Sequence, residues 1–496
     1  MTRAFSRRFF LASSLSGLAG SAFANAPAVS LRPKARSVEV RRRGATGTDQ
    51  LVHEAGLSGK VSFAVADARS GLVLEESNGD VGLPPASVAK AVTALYALET
   101  LGAEHRFKTS LVTTGRIENG ALKGDLVLMG GGDPTLDTDA LAGMAAQLKK
   151  AGVREVQGKF LVWGGALPYV KTIDPSQPDH LGYSPSISGL SLNYNRVHFE
   201  WKRGQNGYSV AMDARSEKYR PAVNVAKMKI VNRQGPVYTY RDQNGADQWT
   251  VASRALNKYG SRWLPVRKPE MYAGEVFRSL ARSHGITMKA PKVTRNRPAG
   301  KILVQHQSAS LVTIVKAMLK YSTNITAEMV GMSATRHRLG GVSGLRASAG
   351  AMNKWAASNL GMKSAGLVDH SGLGDASRMK ASELVGALVR VKRHKALRPI
   401  LKEIALRHDN GKVNKGHPIK VRAKTGTLNF VSGLAGYMTA QDGTEMAFVI
   451  FVADTRARDK IKRNNRDRPQ GARGWNRRAK VLQQQLIERW GSVYGT

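Results

Sequence analysis

Apolar and polar positions alternate along Val61-Ser-Phe-Ala-Val-Ala-Asp67, pause at Ala68-Arg-Ser-Gly71 and resume at Leu72-Val-Leu-Glu-Glu76. A period of two broken by turn residues predicts a hairpin. After Pro84-Pro85 the period changes. From Ala86 to about Leu101, Val, Ala, Leu and Tyr fill nearly every position, which predicts a helix buried on all sides. A second alternating stretch opens far downstream at Lys420 to Thr427. The runs Leu434 to Thr439 and Glu445 to Val452 follow it, flanking the turn Gln441-Asp-Gly443. An amphipathic segment from about Arg477 to Trp490 is expected to cover the resulting sheet. The fold expected is α/β, of the α+β type: an antiparallel sheet flanked by helices and assembled from sequence-distant halves.

Residues from about 106 to 302 separate those halves and carry short strand-like runs, many turns and little long helical periodicity. They are expected to form one or two inserted, mostly-β domains, with about 166–255 as the second. Residues 51–105 and 303–496 then make one discontinuous domain. No later apolar run reaches the roughly 18 residues needed to cross a bilayer.

The N-terminus has a different character. Ser6-Arg7-Arg8-Phe9-Phe10-Leu11 places an arginine pair before a weakly apolar stretch that ends in Ala22-Phe-Ala24. This pattern resembles a twin-arginine export signal over residues 1–24, cleaved before Asn25; an ordinary Sec-type signal is the alternative. A basic arm, 25–50, follows and contains Arg41-Arg-Arg43. Export predicts a periplasmic protein.

Composition adds one unusual feature. Across 496 residues, 76 Lys+Arg stand against 36 Asp+Glu, a formal charge of +40. Either the surface is generally basic and soluble, or the surroundings are anionic. The stretch Arg456 to Lys480 concentrates this charge. It reads either as a solvated loop or as a patch for anionic glycan or lipid of the cell envelope. Nucleic acid is disfavoured, because export takes the chain where little is found. Cysteine is absent, which excludes thiolate chemistry and disulfides. No histidine pair has zincin spacing, so a metal site has almost no support, and no cofactor is implied. Gly130-Gly-Gly-Asp-Pro134 lacks the Gly-Lys-Ser/Thr ending of a phosphate loop and reads as a tight turn.

Three short motifs carry the chemistry. Ser87-Val-Ala-Lys90 places a serine at the start of the buried helix, with a lysine one turn later on the same face. A serine is a poor nucleophile until a base takes its proton, and a lysine serves only if its pKa falls. Burial and a second cation, Lys424, are expected to lower it and to leave Lys90 neutral at rest. Ser322-Thr-Asn324 follows the amphipathic stretch Ser310 to Tyr321; Ser322 could relay a proton and Asn324 could hold Lys90 and a substrate amide. Lys424-Thr-Gly-Thr427 lies on the alternating strand, where Gly426 removes a side chain at the place a peptide would lie. Thr425 or Thr427 could meet a terminal carboxylate beside Lys424. The backbone N–H groups of Ser87 and Thr427 are candidates for an oxyanion hole. Two decoys, Ser377-Arg-Met-Lys380 and Ser191-Leu-Asn193, fit the first two patterns by chance.

Taken together, S-x-x-K, S-x-N and K-T-G in this order resemble the penicillin-recognising serine enzymes. Further segments narrow the resemblance: Gly131-Gly-Asp-Pro-Thr-Leu136, Leu190-Ser-Leu-Asn-Tyr-Asn195, Ala327-Glu328, Asp369-His-Ser-Gly-Leu373 and the run from Val431 to Tyr437. Over roughly residues 58–453 the chain resembles peptidase family S13, the low-molecular-mass class C penicillin-binding proteins. The resemblance implies an acyl-enzyme on Ser87, activated by Lys90. It implies a relay through Ser322 and Asn324, and substrate binding by Lys424, Thr425, Gly426 and Thr427. It also implies D-Ala-D-Ala carboxypeptidase or endopeptidase action on peptidoglycan stem peptides, and covalent inhibition by β-lactams. Thr323 and His370 depart from the usual pattern; His370 leaves substrate preference near it open. A serine β-lactamase and a non-catalytic wall-binding protein are the competing readings.

Overall fold

The protein, represented by a computed structural model, is described here over residues 46–392 and 397–495. The expected leader and most of the basic arm lie outside the described residues. Residues 48–50, assigned to that arm, instead begin the helix Thr48–Glu54, whose Leu51 joins a hydrophobic core.

Six antiparallel strands form the central sheet. Their spatial order is Lys402–Glu403, Lys420–Leu428, Val431–Thr439, Glu445–Ala453, Lys60–Asp67 and Val73–Ser77. The N-terminal hairpin thus lies at one side of the C-terminal strands, with Ala64 opposite Val449. Its turn is closed by Asp67, whose Oδ1 accepts from the backbone of Arg69 and Ser70. Alternation along the strands divides two cores. Val61, Phe63 and Val65 face Trp475, Leu482, Leu486 and Trp490 of the C-terminal helix. Ala64 and Ala66 face the helical layer on the other side. That C-terminal helix runs from Ala472 to Val493, longer than the sequence suggested, and starts directly after Gly471 in left-handed backbone. Among the described residues, no helix is long and apolar enough to cross a membrane.

At the centre of the helical layer is the helix Ala89–Leu101, in which every residue from Ala89 to Ala97 is buried. The helices Leu311–Tyr321, Asn324–Leu339, Leu345–Trp355 and Ala381–Lys392 surround it. Such complete enclosure explains why its sequence shows no polar face.

The chain leaves this domain after His105 and builds a five-stranded mixed sheet. The strand Lys301–Gln307 pairs with Lys108–Thr113 in that sheet, so the expected return at 303 falls inside a strand. Two three-stranded sheets follow. One is Gly207–Asp213, Arg196–Gly204 and Tyr259–Pro265; the other is Ala226–Val231, Ala246–Ala252 and Tyr238–Gln243. The first continues past residue 255 because Tyr259–Pro265 pairs along Arg196–Gly204. In the inserted region, the helices Thr138–Lys150 and Pro269–Ser283 escaped the sequence reading. The first was legible: Asp137 caps it through Ala140 N, and Leu141, Met144, Ala145 and Leu148 form its buried stripe.

Candidate active site

The three motifs meet where the nucleophile turn, a helix junction and the edge of the central sheet come together. Ser87 occupies a one-turn 3-10 helix, Ala86–Val88, leading into Ala89–Leu101. It is half-buried, and its hydroxyl is engaged by Lys90 rather than spent on capping the helix. Ser322 ends the helix Leu311–Tyr321 with φ of 60°, and Asn324 begins the next helix. Ala86, with φ of 46°, and Ser322 hold left-handed backbone without being glycine. Such residues cost about 1–3 kcal/mol each and persist only where packing enforces them.

Lys90 is wholly buried and donates three hydrogen bonds. Its Nζ reaches Ser87 Oγ at 2.8 Å, Asn324 Oδ1 at 2.7 Å and the carbonyl of Ser371 at 2.8 Å. Asn324 is oriented by its other end, since Nδ2 donates to the carbonyl of Tyr183 at 2.9 Å. Lys424, also buried, donates to Ser322 Oγ at 2.9 Å and to the carbonyl of Thr425 at 2.7 Å. One lysine therefore serves each of the two hydroxyls.

Burial is the main cause that lowers Lys90, to a pKa of about 8; Glu328 and Asp369 act against it. Lys424 is pushed well below the ordinary lysine range by burial, with the charge of Lys90 adding to the effect. The fall and its main cause, burial, agree with the sequence reading; the charges that act on Lys90 are those of Glu328 and Asp369, not that of Lys424. In its neutral form Lys90 can keep its bonds to Asn324 Oδ1 and the Ser371 carbonyl while its lone pair accepts from Ser87 Oγ. It becomes a base when it loses a proton and the bond to Ser87 reverses.

Glu328 and Asp369 matched the family pattern, but no role followed from the sequence. Glu328 accepts from the backbone of His370 at 2.9 Å and of Ser371 at 3.0 Å. Asp369 accepts from Gly372 and Gly374, each at 2.6 Å. Burial first of all raises both carboxyls, Glu328 to about 8. They fold the segment that presents the Ser371 carbonyl to Lys90. His370 does not face the substrate side. It is fully buried, its Nε2 2.7 Å from Ser348 Oγ, and burial lowers it to about 3, so it stays neutral. Gly331 makes room for this ring, since a Cβ there would lie 2.3 Å from His370 Cγ.

On the sheet edge, Lys424 and Gly426 are buried while Thr425 and Thr427 are exposed. The sequence suggested that Gly426 leaves space for a peptide. In the fold, the protein itself takes the space in its Cβ direction. A Cβ would lie 2.7 Å from the carbonyl oxygen of Pro85 and 3.1 Å from Ser87 N. Gly426→Ala is expected to force the strand off the nucleophile turn and slow acylation by a β-lactam about 100-fold. Stopped-flow measurement of adduct formation checks this; an unchanged rate would show that the close approach is dispensable.

The two decoys lie elsewhere in purpose. Ser377 Oγ accepts from Val368 N, and the Asn193 amide binds Thr138 and Tyr272 in the inserted region. The basic segment is not a free loop either. Arg458 is buried and bonds Asp375, Arg463 pairs with Asp179, and Arg466 pairs with Asp375.

Known proteins are similar to this chain in sequence and fold. The D-alanyl-D-alanine carboxypeptidase of Actinomadura sp. (strain R39) is 29% identical over 459 residues, spanning 86% of this chain and 82% of that protein. The D-alanyl-D-alanine carboxypeptidase DacB of Haemophilus influenzae is 24% identical over 428 residues, 79% of this chain and 85% of that one. The crystal structure of penicillin binding protein 4 (dacB) from Haemophilus influenzae superposes with a TM-score of 0.71 at 19% identity, covering 90% of this chain and 98% of that one. The D-Ala-D-Ala carboxypeptidase 3 (S13) family model matches residues 47–471, so the chain belongs to that family.

Proposed function

We propose that the protein is a serine D-Ala-D-Ala carboxypeptidase, and an endopeptidase where cross-links are presented, acting on peptidoglycan stem peptides. The observation that carries this is the single amine of Lys90 bonded to both Ser87 Oγ and Asn324 Oδ1. In the reactive state neutral Lys90 takes the Ser87 proton as Oγ attacks the carbonyl carbon of the penultimate D-Ala. The N–H groups of Ser87 and Thr427 receive the oxyanion. The C–N bond then breaks, and the proton that Lys90 took passes to the leaving amine through Ser322 Oγ, which Lys424 holds. In deacylation neutral Lys90 takes a proton from water as it attacks the ester, and returns it to Ser87 Oγ as the acyl C–O bond breaks. Lys424, Thr425 and Thr427 bind the terminal carboxylate of the substrate. β-Lactams present the same carbonyl and carboxylate, and acylate the same serine.

The twin-arginine pattern at the N-terminus supports export to the periplasm. There the remaining exposed cations favour anionic surfaces of the cell envelope.

Labelling the purified protein with a fluorescent β-lactam tests the proposal, with the adduct localised by mass spectrometry. A stable adduct on Ser87 is expected. Rapid release of hydrolysed label would instead indicate a β-lactamase, and no adduct a wall-binding protein. Parallel digestion of cross-linked and uncross-linked muropeptides separates endopeptidase from carboxypeptidase action.

A further inference from the structure

The basic segment after the last strand contains one residue that touches two loops at once. Arg466 Nη1 donates to Ser176 Oγ at 2.7 Å and to Asp375 Oδ2 at 2.6 Å. Its own carbonyl accepts from Asn429 Nδ2 at 2.8 Å, which ties it to the turn after the Lys424 strand. Each loop leads to Lys90.

The first loop belongs to the inserted region. Ser176 sits in a compact turn around buried Asp174, which accepts from Ser176 N, from Ser176 Oγ and from Gln177 Nε2. Gln177 Oε1 accepts from Tyr183 Oη at 3.0 Å. The carbonyl of Tyr183 is the group that orients Asn324. The second loop carries Asp375, which Arg458 also bonds. Immediately before it, Asp369 folds Gly372 and Gly374 and so sets the Ser371 carbonyl. Against the upward push of burial, Arg458 and Arg466 hold Asp375 below the ordinary carboxylate range, so this junction stays ionised through neutral pH.

We propose that Arg466 is a positioning residue that locks the 174–184 and 369–377 loops together, fixing Asn324 Oδ1 and the Ser371 carbonyl as the two acceptors that steer Lys90 onto Ser87. Arg466, one of the segment's charges, is thereby assigned an internal purpose: it couples the inserted region to the catalytic lysine. The inference rests on the proposed acyl-enzyme chemistry only for its kinetic consequence.

The test uses the full-length protein with Arg466→Ala, Arg466→Lys and Ser176→Ala, and the exposed neighbour Arg468→Ala as control. Arg466→Ala is expected to slow β-lactam acylation about 10- to 100-fold. Water admitted beside Lys90 relieves its burial, so the rising edge of the pH–rate profile is expected to move to higher pH. Ser176→Ala cuts one arm and should show a smaller effect in the same direction. Arg466→Lys should recover part of the rate, since an ammonium replaces some of the bonds. Hydrogen exchange should quicken in 174–184 and 369–377 with Arg466→Ala and remain unchanged with Arg468→Ala. Wild-type rate and pH edge in both Arg466→Ala and Ser176→Ala overturn the proposal, whatever happens to thermal stability. Should the wild type itself form no adduct, the proposed function fails separately. Exchange in the two loops then decides the lock, and unchanged exchange overturns it.

Discussion

Ser87→Ala is expected to lose all measurable adduct formation and D-Ala release, a fall on the order of 10⁶-fold for an enzyme whose nucleophile is removed. The reason is specific to the site. Ser322, held by Lys424, is the other hydroxyl that a lysine engages here, but it ends a helix in left-handed backbone and its lysine stands on the strand, not one turn along the same helix. Among the described residues, Ser87 alone at this site has its lysine three residues on and its backbone N–H packed beside Gly426. The fold should survive, because Ser87 is half-buried and its loss leaves one N–H of Lys90 unpaired, about 1–3 kcal/mol. Intact-mass analysis after exposure to a β-lactam provides the measurement. A stoichiometric adduct on the alanine variant would place the nucleophile elsewhere and end the assignment.

Lys90→Met is the second large expectation, a loss of about 10²- to 10⁴-fold in acylation rate, the usual span for a positioned base. Its pH signature is as telling as its size. With a pKa lowered to about 8, Lys90 accepts the Ser87 proton only in its neutral form. The wild-type acylation rate should thus climb as pH rises through about 8 and level off above it. The methionine variant should lack this edge. Methionine matches the lysine stem as far as Cε, and Glu328 and Asp369, already raised by burial, can take up protons when the cation goes, so folding should be kept. An edge retained in Lys90→Met would transfer the base role to another group.

These expectations show how much of the site was legible from residue order. Ser87 and Lys90 stand three apart on one helix, so their contact follows from helical pitch. Lys424, Thr425 and Thr427 sit on an alternating strand, and the strand was readable as such. Chance copies of the first two motifs could be set aside only by context, and the fold supplies it: Ser377 and Asn193 are occupied with structural bonds. The central sheet was legible because its main strands are long, regular and separated by turn residues. The inserted helix Pro269–Ser283 was harder to read, because its mixed-polarity segment lies among strand-like runs.

Other features had no local signal. Nothing near Gly426 indicates that Pro85 occupies the space beside it, and nothing near Tyr183 indicates that its carbonyl orients Asn324. His370 occurs within a family-like pattern, yet faces Ser348 and Met352 rather than substrate. Arg458 and Arg466 looked like surplus charge until the fold placed Asp375 between them.

By itself the sequence determined the chemical groups and their local frames: a hydroxyl and an amine on one helix, a hydroxyl and an amide at a helix junction, a cation on a strand. Helical pitch and strand alternation act over a few residues and are written in residue order. The tertiary structure alone decided the burial that lowers Lys90, the contact that orients Asn324 and the ion pairs of the basic segment. Each depends on burial and on groups brought from distant parts of the chain, where desolvation and charge act through space and leave no periodic trace in the sequence.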